Sequence, residues 1–252
     1  MTSQFAMKNL SSLYSLLLSV VLLTSTSSLE AAINPDRTRL IYNADDKSTA
    51  ITLTNESPDL PYLAQSWIEN PQGENASDLL IALPPLQRIE AGEKSQVRIV
   101  KGQRSASLPG DRESLFYFNV REVPPKSSKK NVMQVAIQSR LKLFYRPANL
   151  RRDGQNREEE QMVVTRMPGK VQLANPTPWF ITLLAIKNAD GKTVKNIDGE
   201  MIAPFSDLTT TLENVALGDR FSVSFINDFG GVVSMRYLCQ GNTCRFDNNK
   251  RG

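Results

Sequence analysis

Met133-Gln134-Val135-Ala136-Ile137-Gln138-Ser139-Arg140-Leu141-Lys142-Leu143-Phe144-Tyr145 alternates apolar and polar residues with little interruption. Met133, Val135, Ile137, Leu141 and Leu143 share one face, and Gln134, Gln138, Arg140 and Lys142 the other, which is the period of a β-strand and not of a helix. From Val132 to Tyr145 the pattern predicts a strand of fourteen residues, much longer than the usual five or six. Such a strand overhangs its neighbours. Its apolar row is either ordinary core or an edge offered to a partner.

Outward from this run the same period recurs. Upstream it predicts strands over Thr38–Tyr42, Thr49–Thr54, Tyr62–Glu69, Gln96–Val100 and Ser114–Arg121. Downstream it predicts Met162–Arg166, Val171–Asn175, Phe180–Lys187, Thr209–Leu212, Phe221–Asn227 and Val232–Leu238. Gly, Pro, Asn and Asp bound the runs, as expected of an all-β chain. Two sets of about seven strands match two sandwiches of roughly 100 residues each. The expected domains are 32–149 and 150–252, joined near Pro147–Gly154. Glu158-Glu159-Glu160, beside Arg151, Arg152 and Arg157, is expected to be a solvated connector.

Ahead of these strands, Lys8 precedes an apolar run from Leu13 to Leu23 and then small residues up to Ala31-Ala32. The run is too short to span a bilayer, which takes about 20 residues. Residues 1–31 therefore read as a cleavable signal peptide with the cut after Ala31, and the mature chain is expected to be soluble on the far side of the membrane with no membrane span.

Composition narrows the chemistry. Among 252 residues there are 30 Lys and Arg, 26 Asp and Glu, and no histidine. The formal charge of +4 is too small to argue for nucleic acid. Without imidazole there is no Ser-His or Cys-His nucleophile and no histidine metal site. No pair of acids stands out for a glycosidase. No catalytic residue, cofactor or metal is expected. Cys239 and Cys244 suit a disulfide across a terminal hairpin in an oxidising compartment; two free buried thiols remain the alternative.

Several blocks then carry a specific likeness. Asp36-Arg37-Thr38-Arg39, Leu60-Pro61-Tyr62-Leu63-Ala64-Gln65-Ser66-Trp67-Ile68-Glu69-Asn70, Asp111-Arg112-Glu113-Ser114-Leu115-Phe116-Tyr117-Phe118-Asn119, Arg121-Glu122-Val123-Pro124-Pro125 and Lys142-Leu143-Phe144-Tyr145-Arg146-Pro147 resemble the motifs of PapD-like periplasmic pilus chaperones. Asn175-Pro176-Thr177-Pro178-Trp179 and Ile226-Asn227-Asp228-Phe229-Gly230-Gly231 extend the likeness over the mature chain.

The resemblance implies two immunoglobulin-like β-sandwich domains in a boomerang arrangement and a non-catalytic assembly chaperone in the periplasm. Its implied partners are pilus subunits, both pilins and tip adhesin, and an outer-membrane usher. It maps Met133, Val135 and Ile137 onto the strand donated to a subunit, and Arg39 and Lys142 onto the anchor for the subunit's C-terminal carboxylate. Glu113, Arg146 and Asp228 map onto an ionic cluster between the domains, and the short connector Lys126–Asn131 onto the subgroup serving rod-like adhesive pili. A secreted structural or adhesive pilus component is the competing expectation.

Overall fold

A computed structural model describes residues 31–127, 131–152, 157–213 and 216–247. Residues 1–30 of the expected leader, 1–31, lie outside the described residues, as do residues 128–130 of the lysine-rich connector and residues 153–156 of the expected linker.

The first nine strands are β1 (Ile33–Pro35), β2 (Arg39–Asn43), β3 (Thr49–Asn55), β4 (Tyr62–Glu69), β5 (Leu80–Leu83), β6 (Leu86–Ile89), β7 (Lys94–Lys101), β8 (Ser114–Val123) and β9 (Gln138–Arg146). They form two sheets, ordered β1-β3-β7-β5 and β2-β9-β8-β4-β6. Alternation along each strand turns one face inward. Ile51, Leu53, Val97 and Ile99 of the first sheet meet Leu40, Tyr42, Ile68, Phe118 and Leu143 of the second in one core. Each such side chain contributes roughly 1.5–3 kcal/mol on leaving water.

The remaining strands are β10 (Val163–Met167), β11 (Lys170–Asn175), β12 (Ile181–Asn188), β13 (Thr193–Asn196), β14 (Met201–Ile202), β15 (Ser206–Thr211), β16 (Arg220–Ile226), β17 (Val232–Gln240) and β18 (Thr243–Phe246). They run β13-β12-β16-β17-β18-β10-β11-β15, with β14 beside β12. β18 links the two halves of this sheet, and both enclose a second core that includes Val164, Leu173, Leu183, Val223, Phe225 and Tyr237. The Sγ atoms of Cys239 and Cys244 are bonded across the β17–β18 hairpin, where these residues face each other in register. The all-β expectation of two sandwiches holds.

The long strand does not form at its expected length. β9 begins at Gln138, and residues 132–137 belong to no strand. The reason lies in the neighbours. β8 reaches only Val123 before Pro124 and Pro125, which have no N–H to continue a ladder. On the other side β2 starts only at Arg39, opposite Lys142. The last tie is the Glu122 N–H, which donates to the Ile137 carbonyl at 3.0 Å.

The acidic connector also departs from expectation. Glu158–Gln161 is a turn of 3-10 helix, and Glu159 accepts a hydrogen bond from Arg152 at 3.0 Å, with both side chains largely buried. Arg152 also lies over the Trp179 ring. Glu159 and Glu160, read as solvated, are half-buried, and Arg152 reaches Glu159 from the linker.

Candidate functional site

Between Pro35 and Arg39 the chain leaves the first sheet and enters the second. Asp36 fixes the crossing: its N–H donates to the Thr52 carbonyl at 2.9 Å, and its carboxylate accepts from the Thr52 N–H and from Arg37. β2 then pairs parallel with β9, setting Arg39 beside Lys142. Because Leu40 and Tyr42 fill the core, Arg39 points to the opposite face. Lys142 is likewise opposite Leu141 and Leu143. The two cations therefore share one face of the sheet.

That face meets the second sandwich. Arg39 is buried and donates from Nη1 to the Ile226 carbonyl at 3.1 Å and to Thr182 Oγ1 at 3.4 Å. Lys142 Nζ donates to the Gly199 carbonyl at 2.6 Å. Among the described residues neither cation has a carboxylate within ion-pair distance, and Arg39 Nε is buried with no hydrogen-bond partner. Burial pushes the Arg39 guanidinium below its ordinary value, against the attraction of Asp228. Burial and then repulsion from Arg39 push the Lys142 ammonium down. Two desolvated positive charges, oriented by neutral oxygens and left with spare donors, have the chemistry to pair with an anion.

An adjoining cleft of about 830 Å³ is lined by Arg37, Arg39 and Ile41 from one sandwich and Phe225, Asp228 and Phe229 from the other. Phe229 is 95% exposed at the tip of the β16–β17 hairpin. The Asn227 carboxamide holds that turn by accepting from the N–H groups of Phe229 and Gly231. Gly230 has φ +81 and presses on Thr38, so that a Cβ there would overlap Thr38 Oγ1.

Glu113, Arg146 and Asp228 come together across the two sandwiches. Arg146 donates from Nε to Glu113 at 2.8 Å, its Nη2 lies 2.7 Å from the same oxygen, and Nη1 reaches Asp228 at 3.0 Å. The other oxygen of Glu113 accepts the Phe180 N–H at 2.8 Å, and its backbone N–H donates to the Pro178 carbonyl at 2.9 Å. Against the desolvation of the site, the two carboxylates hold Arg146 above its usual range. Burial pushes the Glu113 carboxyl up, opposed by Arg146 and the Phe180 N–H.

Met133, Val135 and Ile137 lie outside this cleft floor, on the unpaired approach to β9. Met133 is 91% and Val135 55% exposed, while Ile137 is half-buried where it joins the ladder. Gln134 donates to the Pro125 carbonyl at 2.7 Å. Sequence patterning did not find Thr182, the Ile226 and Gly199 carbonyls, or the Arg152–Glu159 pair. Backbone acceptors leave no mark in a sequence.

Comparison with known proteins agrees with this architecture. Residues 32–151 match the model of the pili and flagellar-assembly chaperone PapD N-terminal domain, and residues 157–237 that of the pili assembly chaperone PapD C-terminal domain. The uncharacterized fimbrial chaperone YbgP of Escherichia coli K12 is 42% identical over 231 residues, 90% of this chain and 95% of that protein. The chaperone protein PapD of Escherichia coli is 36% identical over 237 residues, 93% and 98% of the two chains. In the crystal structure of the Salmonella enterica SafA pilin in complex with the SafB chaperone, the matched chain is 26% identical with a TM-score of 0.68, covering 83% of this chain and 97% of that one. Tandem matches to both domains, and full-length relatives named as chaperones, set aside the competing expectation of a structural pilus component. The chain belongs to the PapD-like family of pilus-assembly chaperones, which are not enzymes.

Proposed function

We propose that the chain is exported to the periplasm, captures pilus subunits that lack a strand, lends them residues 132–137, and passes them to an outer-membrane usher. The observation that carries this reading is an unpaired apolar row leading directly to two desolvated cations that, among the described residues, have no carboxylate within ion-pair distance. Addition of a strand to an exposed edge is a general mode of recognition, of which chaperone–pilin complementation is itself an established instance. Along an extended chain Met133, Val135 and Ile137 recur at about 6.6 Å, a spacing that fills one groove. Lys142, five residues beyond Ile137, stands about 17 Å along the same strand. A subunit whose terminal carboxylate rests on Arg39 and Lys142 is thereby fixed in register, and register decides everything here, since a slip of one residue turns every apolar side chain away.

Spare donors on Arg39 support a carboxylate as the anion, because a guanidinium and an ammonium converging on two oxygens give charge-assisted bonds. The neutral partners across the domain boundary keep both cations oriented before binding, so little is lost in ordering them.

Co-expression with a candidate pilin in a periplasm, followed by copurification, tests the proposal. Arg39→Ala or Lys142→Ala is expected to fold yet lose about 2–5 kcal/mol of binding, roughly 30-fold to several thousand-fold. Val135→Glu is expected to fail by placing a charge in the apolar groove, while Gln134→Ala is tolerated. Wild-type recovery of pilin by both anchor variants refutes the carboxylate anchor.

A further inference from the structure

Glu122 lies near the end of β8, turned inward and only 5% exposed. Among the described residues it forms no ion pair with Lys or Arg. Glu113, the other buried acid of this sandwich, has Arg146. A carboxylate withdrawn from water without a cation is costly. Glu122 instead meets the start of β1: its Oε2 accepts the Ile33 N–H at 3.0 Å.

Ile33 opens β1, and the residue before it is also held. The Ala32 carbonyl accepts the Glu56 N–H at 2.7 Å, and Ala32 is half-buried. The Ala32 nitrogen is one residue from a nitrogen already bonded to Glu122, about 3.5 Å along the chain. In an uncut chain that nitrogen is a neutral amide. We propose that cleavage after Ala31 turns it into an ammonium that pairs with Glu122, so that processing completes the N-terminal sandwich.

This inference rests on the export reading above. The step is hydrolysis of the Ala31–Ala32 peptide bond by a leader-removing peptidase. Water supplies the hydroxyl that leaves a carboxylate on Ala31 and the hydrogen that leaves an amine on Ala32. An α-amine with an ordinary pKa of about 7.7–8.0 takes up a proton at neutral pH. The new charge then sits at the mouth of a buried acid, at the start of the strand that leads through Asp36 to Arg39. In the uncut chain the Ala32 nitrogen is part of a peptide bond and carries no charge. A precursor therefore carries a sandwich that lacks one ion pair.

The test compares chains released from a removable fusion so that they begin at Ala32 or carry three extra alanines ahead of it, each with Glu122 or with Glu122→Gln. Gln keeps an oxygen to accept the Ile33 N–H but has no charge to answer an ammonium. The extended chain is expected to melt about 3–6 °C below the Ala32 chain, and the difference is expected to vanish in the Glu122→Gln pair. An Nα-acetylated chain beginning at Ala32, which loses the charge and keeps the length, is expected to melt with the extended form. Equal melting of all three wild-type forms, or an undiminished difference in the Glu122→Gln pair, overturns the proposal. N-terminal sequencing of exported protein separates the two readings. A periplasmic chain that starts elsewhere than Ala32 overturns the ion pair alone, whereas a chain never found in the periplasm overturns export as well.

Discussion

Replacing Arg146 by alanine removes one of the side chains that tie the two sandwiches together. Three guanidinium nitrogens are lost to two acids, and the side chains of Arg146 and Glu113 are only 4% and 2% exposed. Glu113 keeps the Phe180 N–H but has no cation at hydrogen-bond distance. Stripping one partner from a buried pair costs about 3–5 kcal/mol, and the lower half of that range applies here because Asp228 is 28% exposed and returns to water. For a chain of this size the loss corresponds to a melting point roughly 6–15 °C lower. The damage is expected at the boundary, as faster proteolysis after the Arg146–Gln161 segment is loosened and as a broadened small-angle scattering profile. It is also expected to depend on pH. Burial already holds the Glu113 carboxyl above its ordinary 4.5, and losing Arg146 raises it further. A raised folded-state pKa favours the protonated fold, so the penalty is present at neutral pH and fades as pH falls through the raised value. Joint replacement Glu113→Leu with Arg146→Met is expected to recover much of the stability, since a well-packed apolar pair often matches a buried ion pair. A melting point within about 2 °C of wild type, with unchanged scattering and proteolysis, refutes the account.

Removing the disulfide with Cys239→Ala and Cys244→Ala together is expected to cost about 2 kcal/mol on the loop-entropy model; alkylatable thiols in the unreduced mature protein contradict the bond. Lys142 is expected to make subunit binding sensitive to alkali. A bound carboxylate raises an ammonium that burial has lowered, so affinity is full at neutral pH and falls as pH climbs toward the ordinary 10.5, whereas Lys142→Arg removes that fall over the same range. Titrations that superimpose for the two chains exclude this role. Gly230→Ala is expected to weaken binding without unfolding the second sandwich, because its Cβ drives Thr38 away from the hairpin tip and Arg39 moves with it; unaltered affinity and a large loss of melting temperature reverse that assignment.

Much of the fold is legible in the chain, and the failures have physical causes. β4 and β8 follow their alternation closely because both are central strands, with neighbours on each side to bury one face. β5 and β6 went unseen because each has four residues and Leu83-Pro84-Pro85-Leu86 between them reads as a break. The first half of the Met133–Tyr145 run is misread for a different reason. Period two reports that some surface will cover alternate side chains, and says nothing about whether that surface belongs to the same molecule. At the site, Arg39 and Lys142 are legible through their motifs. Arg39's partners Ile226 and Thr182 lie 187 and 143 residues away, and Lys142's partner Gly199 lies 57 away, and no local pattern announces them. Glu159 was misjudged because charge density predicts solvation only when opposite charges are elsewhere.

The proline pair that stops β8 has a consequence for how this chain tolerates change. Residues 132–136 fill no core and complete no ladder of the free protein, so their identities are almost invisible to folding stability. If they serve as the donor strand proposed above, a library of substitutions there is expected to be nearly flat when sorted by melting temperature or by expression, and steep at alternate positions when sorted by client capture. Client preference can therefore drift without endangering the scaffold, and two chaperones with interchangeable sandwiches can serve different subunits by differing in a handful of side chains that neither needs in order to fold.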